Sequence, residues 1–133
     1  MASHYFQQFQ GSLEKGVVKL FATIVTSTSG TISSSDMLGG SVAKVGSEAG
    51  RYRITLAGSY QRLLAANVMV SGAADAAYTT AKGIQAIVRN VDVSNATTPV
   101  LDIQLVRTDT AADAEVEDGA SIFVELTLSN SSV

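Results

Sequence analysis

The chain is expected to fold as an all-β protein: a single-domain antiparallel β-sandwich over residues 17–133, with jelly-roll topology as its expected connectivity, preceded by an N-terminal arm over residues 1–16. Three observations predict this. Tyr52, Ile54 and Leu56 alternate with Arg51, Arg53 and Thr55, the period-two signature of a strand with one buried and one wet face. Near the other end, Ile122, Val124, Leu126 and Leu128 alternate with Ser121, Glu125 and Thr127, and only Phe123 breaks the pattern. Between and around these two segments, β-branched runs recur at short spacing, separated by Gly, Ser and Thr, as antiparallel sandwiches require. The segment 51–56 is expected to be the organising strand, with 120–128 as its partner.

A length of 133 residues suits one domain with a core of its own. No cysteine is present, so the core is held by packing alone, without a disulfide framework or a thiolate zinc site. The formal net charge of −3 argues against a phosphate backbone as main partner. No apolar run approaches the roughly 20 residues of a bilayer span. The first ten residues lack the basic and continuous apolar segments of an export signal, so the chain is expected to stay in the compartment where it is made.

Taken in order, Tyr5, Phe6 and Phe9 concentrate three of the eight aromatic residues in the arm. They either close one end of the sandwich or reach a neighbouring subunit, since large rings carry much of the energy of an interface. Residues 17–26 form a β-branched run that is apolar on nearly both sides up to Val25, which predicts a strand that is central or covered by a neighbour. Residues 27–36 turn to Ser, Thr and Gly and predict a loop containing a weak strand. Gly39 and Gly40 before residues 41–45 point to a bulge or a close backbone approach at the start of a short strand. After the strand 51–56, the alternation of Leu64, Ala66, Val68 and Val70 predicts another strand over 63–70, and the Ala-rich residues 71–80 a surface loop. Strands are expected over 83–90 and 100–107, the latter with Leu101, Ile103 and Leu105 inward and Asp102 and Gln104 outward. The polar, acidic residues 108–119 return the chain to the last strand. This makes about seven strands at sandwich spacing.

No arrangement carries reaction chemistry. The single histidine, His4, lies in the arm, no Gly-x-Ser-x-Gly elbow occurs, and Gly39-Gly40 lacks the rest of a phosphate-binding loop. Asp109, Asp113, Glu115, Glu117 and Asp118 form the one carboxylate cluster. Its spacing departs from the EF-hand loop, so a solvated acidic loop is expected rather than a calcium site. The chain reads as non-enzymatic, without a cofactor or metal. Arg51 and Arg53 on the outward face of their strand suit solvent or an anionic protein partner.

Several segments together resemble a known class of protein. Gly50-Arg51-Tyr52-Arg53-Ile54-Thr55-Leu56, Leu63-Leu64 with Val68-Met69-Val70, Leu101-Asp102-Ile103-Gln104-Leu105-Val106 and Gly119-Ala120 leading through Val124-Glu125-Leu126-Thr127-Leu128 resemble small structural proteins of tailed bacteriophages. The stretch from Tyr5 to Val18 is similar to the N-terminal part of the same pattern. The resemblance spans most of the chain except residues 73–82, and it rests on structural strands rather than catalytic signatures. It implies a capsid decoration, or cement, protein, made in the host cytoplasm and bound to the outer surface of the virion head. It also implies the major capsid protein as partner, and a homo-oligomer, dimer or trimer, that acts without nucleic acid or membrane. On this reading Tyr5, Phe6 and Phe9 are arm anchors, and Arg51 and Arg53 are capsid or subunit contacts. The alternatives are a tail or fibre component, or a carbohydrate-binding attachment module whose loop aromatics would be Tyr60 and Tyr78.

Overall fold

The computed structural model describes residues 16–72, 84–108, 112–113 and 119–130. Their strands are β1 (Val17–Thr26), β2 (Ile32–Met37), β3 (Gly40–Lys44), β4 (Arg51–Leu56), β5 (Arg62–Ser71), β6 (Ile84–Asp92), β7 (Val100–Arg107) and β8 (Ser121–Ser129). They form two four-stranded sheets, one in the order β2-β1-β8-β5 and the other β3-β4-β7-β6, with every pairing antiparallel. We call these sheet A and sheet B. The all-β sandwich expected from the alternation is the fold observed. Jelly-roll connectivity does not follow from this order, since β1–β2, β3–β4 and β6–β7 are neighbours within a sheet.

The core lies between the sheets. Ile24, Ile122, Val124, Leu126 and Leu128 supply it from sheet A, and Tyr52, Ile54, Leu56, Leu101, Ile103 and Leu105 from sheet B. These are the inward residues of the period-two pattern, so local alternation and burial agree along β4 and β8, whereas β7 is buried on both sides from Leu101 to Val106. The expected partnership of β4 with residues 120–128 is corrected. β4 pairs with β3 and β7, while β8 pairs with β1 and β5, so the two strands lie in different sheets and each gives its apolar face to the shared core. Both are interior strands, and alternation reports a strand's buried face without reporting its neighbour.

Two local departures have identifiable causes. β5 carries an irregularity between Leu63 and Ala65, where Leu63 registers with Leu128 and Ala66 with Leu126. The extra residue puts Leu63, rather than the expected Leu64, against the core. At the β2–β3 connection Gly39 has φ +88, and a Cβ on Gly40 would lie 2.6 Å from the Thr55 carbonyl oxygen, which is the close approach expected of that glycine pair. The connection of β1 to β2 is locked across the sandwich. Tyr52, wholly buried on β4, donates its hydroxyl hydrogen to the Gly30 carbonyl at 2.6 Å, and Lys44, opposite Tyr52 on β3, donates to the Ser29 carbonyl.

Candidate functional site

The outward sides of the two sheets are finished in opposite ways. On sheet B, Arg51 and Arg53 stand on β4 beside Gln104 and Asp102 of β7, and Arg89 of β6 lies opposite Asp102. Arg53 grips Asp102 with two hydrogen bonds, Nε to Oδ1 at 2.8 Å and Nη2 to Oδ2 at 3.0 Å. Arg51 adds Nη2 to Oδ2 at 2.8 Å and turns Nη1 to Glu48 at 2.8 Å. Gln104 accepts from Arg89 at 3.2 Å and donates to the carbonyls of Ala49 and Leu105. Asp102 and Gln104 face away from the core as expected, yet both are buried. The aliphatic stems and guanidinium planes of the arginines roof them over.

The electrostatics follow from this geometry. Arg53, and then Arg51, hold the Asp102 carboxyl below the usual carboxylate range, with burial opposing them. Hydrogen bonds to Glu48 and Asp102 raise the Arg51 guanidinium, and the bond to Asp102 raises that of Arg53. The two arginines singled out in the sequence are thus brought together by Asp102 and have an internal task. The Arg51 side chain is 17% exposed, whereas that of Arg53 is 41% exposed and keeps an edge toward solvent.

Sheet A has no such cover among the described residues. Its outward row includes Phe21 of β1 at 61% exposure, Phe123 of β8 at 46% and Met69 of β5 at 65%. Met69 registers directly with Phe123, and Phe21 is one diagonal step away, because Phe21 registers with Glu125 and Thr23 with Phe123. Leu38, 89% exposed, follows Met37 in the turn that leads to β3. Four of the seven exposed large apolar residues among those described, Val17, Phe21, Met69 and Phe123, belong to this side. The flanking charges, Lys19 and Glu125, neutralise each other at 3.2 Å.

The sequence contained a signal for this surface. Phe123 broke the alternation of its strand, and residues 17–25 were apolar on both sides, which called for a neighbour. β1 is indeed interior to sheet A, but nothing among the described residues covers its outward Val17, Lys19 and Phe21. Tyr5, Phe6 and Phe9 lie outside the described residues, as do His4, Tyr78 and, apart from Asp113, the carboxylates of the acidic loop. Among the described residues no cluster of three or more His, Cys, Asp or Glu side chains is placed to hold a metal ion. Tyr60 packs against the core. In comparison with known proteins, no family model matches the chain, and no curated protein or solved structure matches it.

Proposed function

We propose that the chain is a non-enzymatic structural protein of a tailed-phage virion, a decoration or cement protein that binds the outer capsid surface and ties neighbouring capsomers together. The strand segments quoted above supply the class by resemblance. The observation that carries the mode of action is the apolar side of sheet A, which nothing among the described residues covers, on a scaffold whose opposite side carries its own ion pairs. A patch of this kind on a rigid sandwich is the mark of an association surface. A cement protein works by many simultaneous weak contacts on a repeating lattice, so it needs a stiff body, an oligomer contact and an anchoring segment. The sandwich is the stiff body. Tyr5, Phe6 and Phe9 are the anchors on this reading, and the exposed edge of Arg53 is a contact for the major capsid protein, while Arg51 acts chiefly to hold Asp102. The attachment reading loses support because Tyr60, one of its two loop aromatics, is packed against the core.

Co-sedimentation of the purified protein with mature heads lacking it tests the proposal, with unexpanded heads and isolated tails as controls. Saturable binding to mature heads, in a copy number tied to the capsid lattice and lost on replacing Tyr5, Phe6 and Phe9 by Ala, is expected. Binding to tails alone would assign the chain to the tail or fibre, and binding to neither would overturn the proposal.

A further inference from the structure

The contrast between the two outward sides points to a specific interface. On sheet B the outward polar groups of β7 are already covered by side chains of the same molecule. On sheet A the strands β1, β8 and β5 present Phe21, Phe123 and Met69 as one patch, with nothing among the described residues laid over it. We propose that this side of sheet A packs face to face against the same side of a second copy of this chain, forming a two-fold dimer.

Charge, area and edge chemistry each favour a second copy as the occupant. Among the described residues the charges on this side are Lys19 and Glu125, joined to each other, Asp36 at the β2 margin opposite Thr23, and Arg62 at the start of β5 opposite Ser129. Such a surface has little net charge with which to draw in a strongly charged partner. Two identical copies meet without like-charge stacking, and in an isologous contact Lys19 of one copy and Glu125 of the other become available to each other. The strands β1, β8 and β5 are 10, 9 and 10 residues long. At about 3.3 Å per residue and about 4.8 Å per strand, with β2 at the margin, they make a face of about 500 Å² in plan. Two such faces total about 1,000 Å², the lower limit for a specific protein–protein contact. The dimer is therefore concentration-dependent rather than obligate. This agrees with a core that is completed between the two sheets of one chain. Edge-to-edge growth at the β2 side is disfavoured, because β2 is short and exposes Ser33, Ser34, Ser35 and Asp36.

Sedimentation velocity on the full chain, with no heads present, tests the dimer separately from the capsid reading. Over about 1 µM to about 500 µM the wild type is expected to pass from monomer to dimer. Phe21→Ser with Phe123→Ser should weaken the dimer by about 30-fold or more while leaving the far-UV spectrum unchanged, since both side chains sit outside the core. Two charge variants give an independent readout. Lys19→Glu chains and Glu125→Lys chains should each dimerise poorly alone and pair with each other when mixed. A wild type that stays monomeric throughout, one that stops at a trimer, or a dimer unmoved by both sets of substitutions would overturn the proposal. So would a dimer lost on replacing Tyr5, Phe6 and Phe9 by Ser but insensitive to Phe21 and Phe123, which would assign association to the N-terminal segment.

Discussion

Replacing Tyr52 by Phe removes one hydroxyl from the centre of the molecule and nothing else. The Tyr52 ring is wholly buried, and its hydroxyl donates to the Gly30 carbonyl at 2.6 Å, tying the β1–β2 connection of sheet A to a strand of sheet B. Gly30 is itself buried at the end of the short 3-10 turn Thr28–Gly30, so its carbonyl oxygen is shielded from the solvent that would replace the lost donor. The ring keeps its packing in the variant, so no cavity forms and the whole effect comes from the stranded acceptor. A buried polar group left without its partner costs about 1–3 kcal/mol, and the intermediate figure of about 2 kcal/mol applies here. For a chain of this size that amounts to a fall in Tm of about 6–8 °C. Thermal and urea melts followed by circular dichroism, at a protein concentration low enough to keep the chain monomeric, measure it. Tyr60→Phe is the control, because the Tyr60 hydroxyl makes no hydrogen bond among the described residues and its loss should change stability by less than about 0.5 kcal/mol. If the two variants melted together, the Tyr52 hydroxyl would not be bridging the sheets and the reasoning would fail.

Acid titration reports on the Asp102 cluster. Its carboxyl is held below the ordinary range, chiefly by Arg53 and then by Arg51, so the folded state binds its proton at lower pH than the unfolded chain does. The stabilisation is therefore complete above the unfolded value of about 4, and it fades as pH falls from there through the folded value. Urea midpoints measured from neutral pH downward should show this decline in the wild type and a flatter acid limb in Asp102→Asn; parallel limbs would dissociate Asp102 from acid stability. Gly40→Ala should destabilise by about 2 kcal/mol and speed amide exchange at the β3–β4 edge, because the new methyl group would meet the Thr55 carbonyl at 2.6 Å and backbone cannot swing aside as a side chain does. Gly58→Ala, where a Cβ meets open space, should be neutral or stabilising by about 0.5 kcal/mol, and equal losses at both glycines would rule out the steric explanation.

The strands were legible because each has a strong local signature. Period-two alternation in β4, β7 and β8 assigned Tyr52, Ile54, Leu101, Ile103, Leu126 and Leu128 to the core, where they are found. Alternation is silent about which strands pair, since that depends on contacts between residues far apart in sequence, and so the expected partner of β4 proves to be a strand of the other sheet. Asp102 illustrates a second limit. Its polarity and phase correctly put it on the outward side, but its burial comes from Arg51 and Arg53, some fifty positions earlier in the chain. Leu63 illustrates a third, because one extra residue at the β5 irregularity inverts the phase that a regular pattern assumes. The apolar patch was half legible. Phe123 and the two-sided run 17–25 stood out as exceptions to alternation, but only the register brings Phe21, Phe123 and Met69 to one place.

The composition of that patch is not required by the sheet that carries it. Thr23 and Thr127 on the same side satisfy strand propensity without exposing large apolar area, and residues like them at positions 21, 69 and 123 would serve the fold as well. The intramolecular return on the large side chains is small, because an exposed cross-strand pair such as Met69 with Phe123 contributes about 0.2–1 kcal/mol. At 61%, 65% and 46% exposure, Phe21, Met69 and Phe123 keep much apolar surface that nothing among the described residues covers. Covering that surface is the gain that contact with a second copy offers, and the lost freedom of two molecules opposes it. A reversible contact would leave the protein soluble while it is dilute, and would become effective where copies are concentrated side by side, as they would be on a repeating lattice.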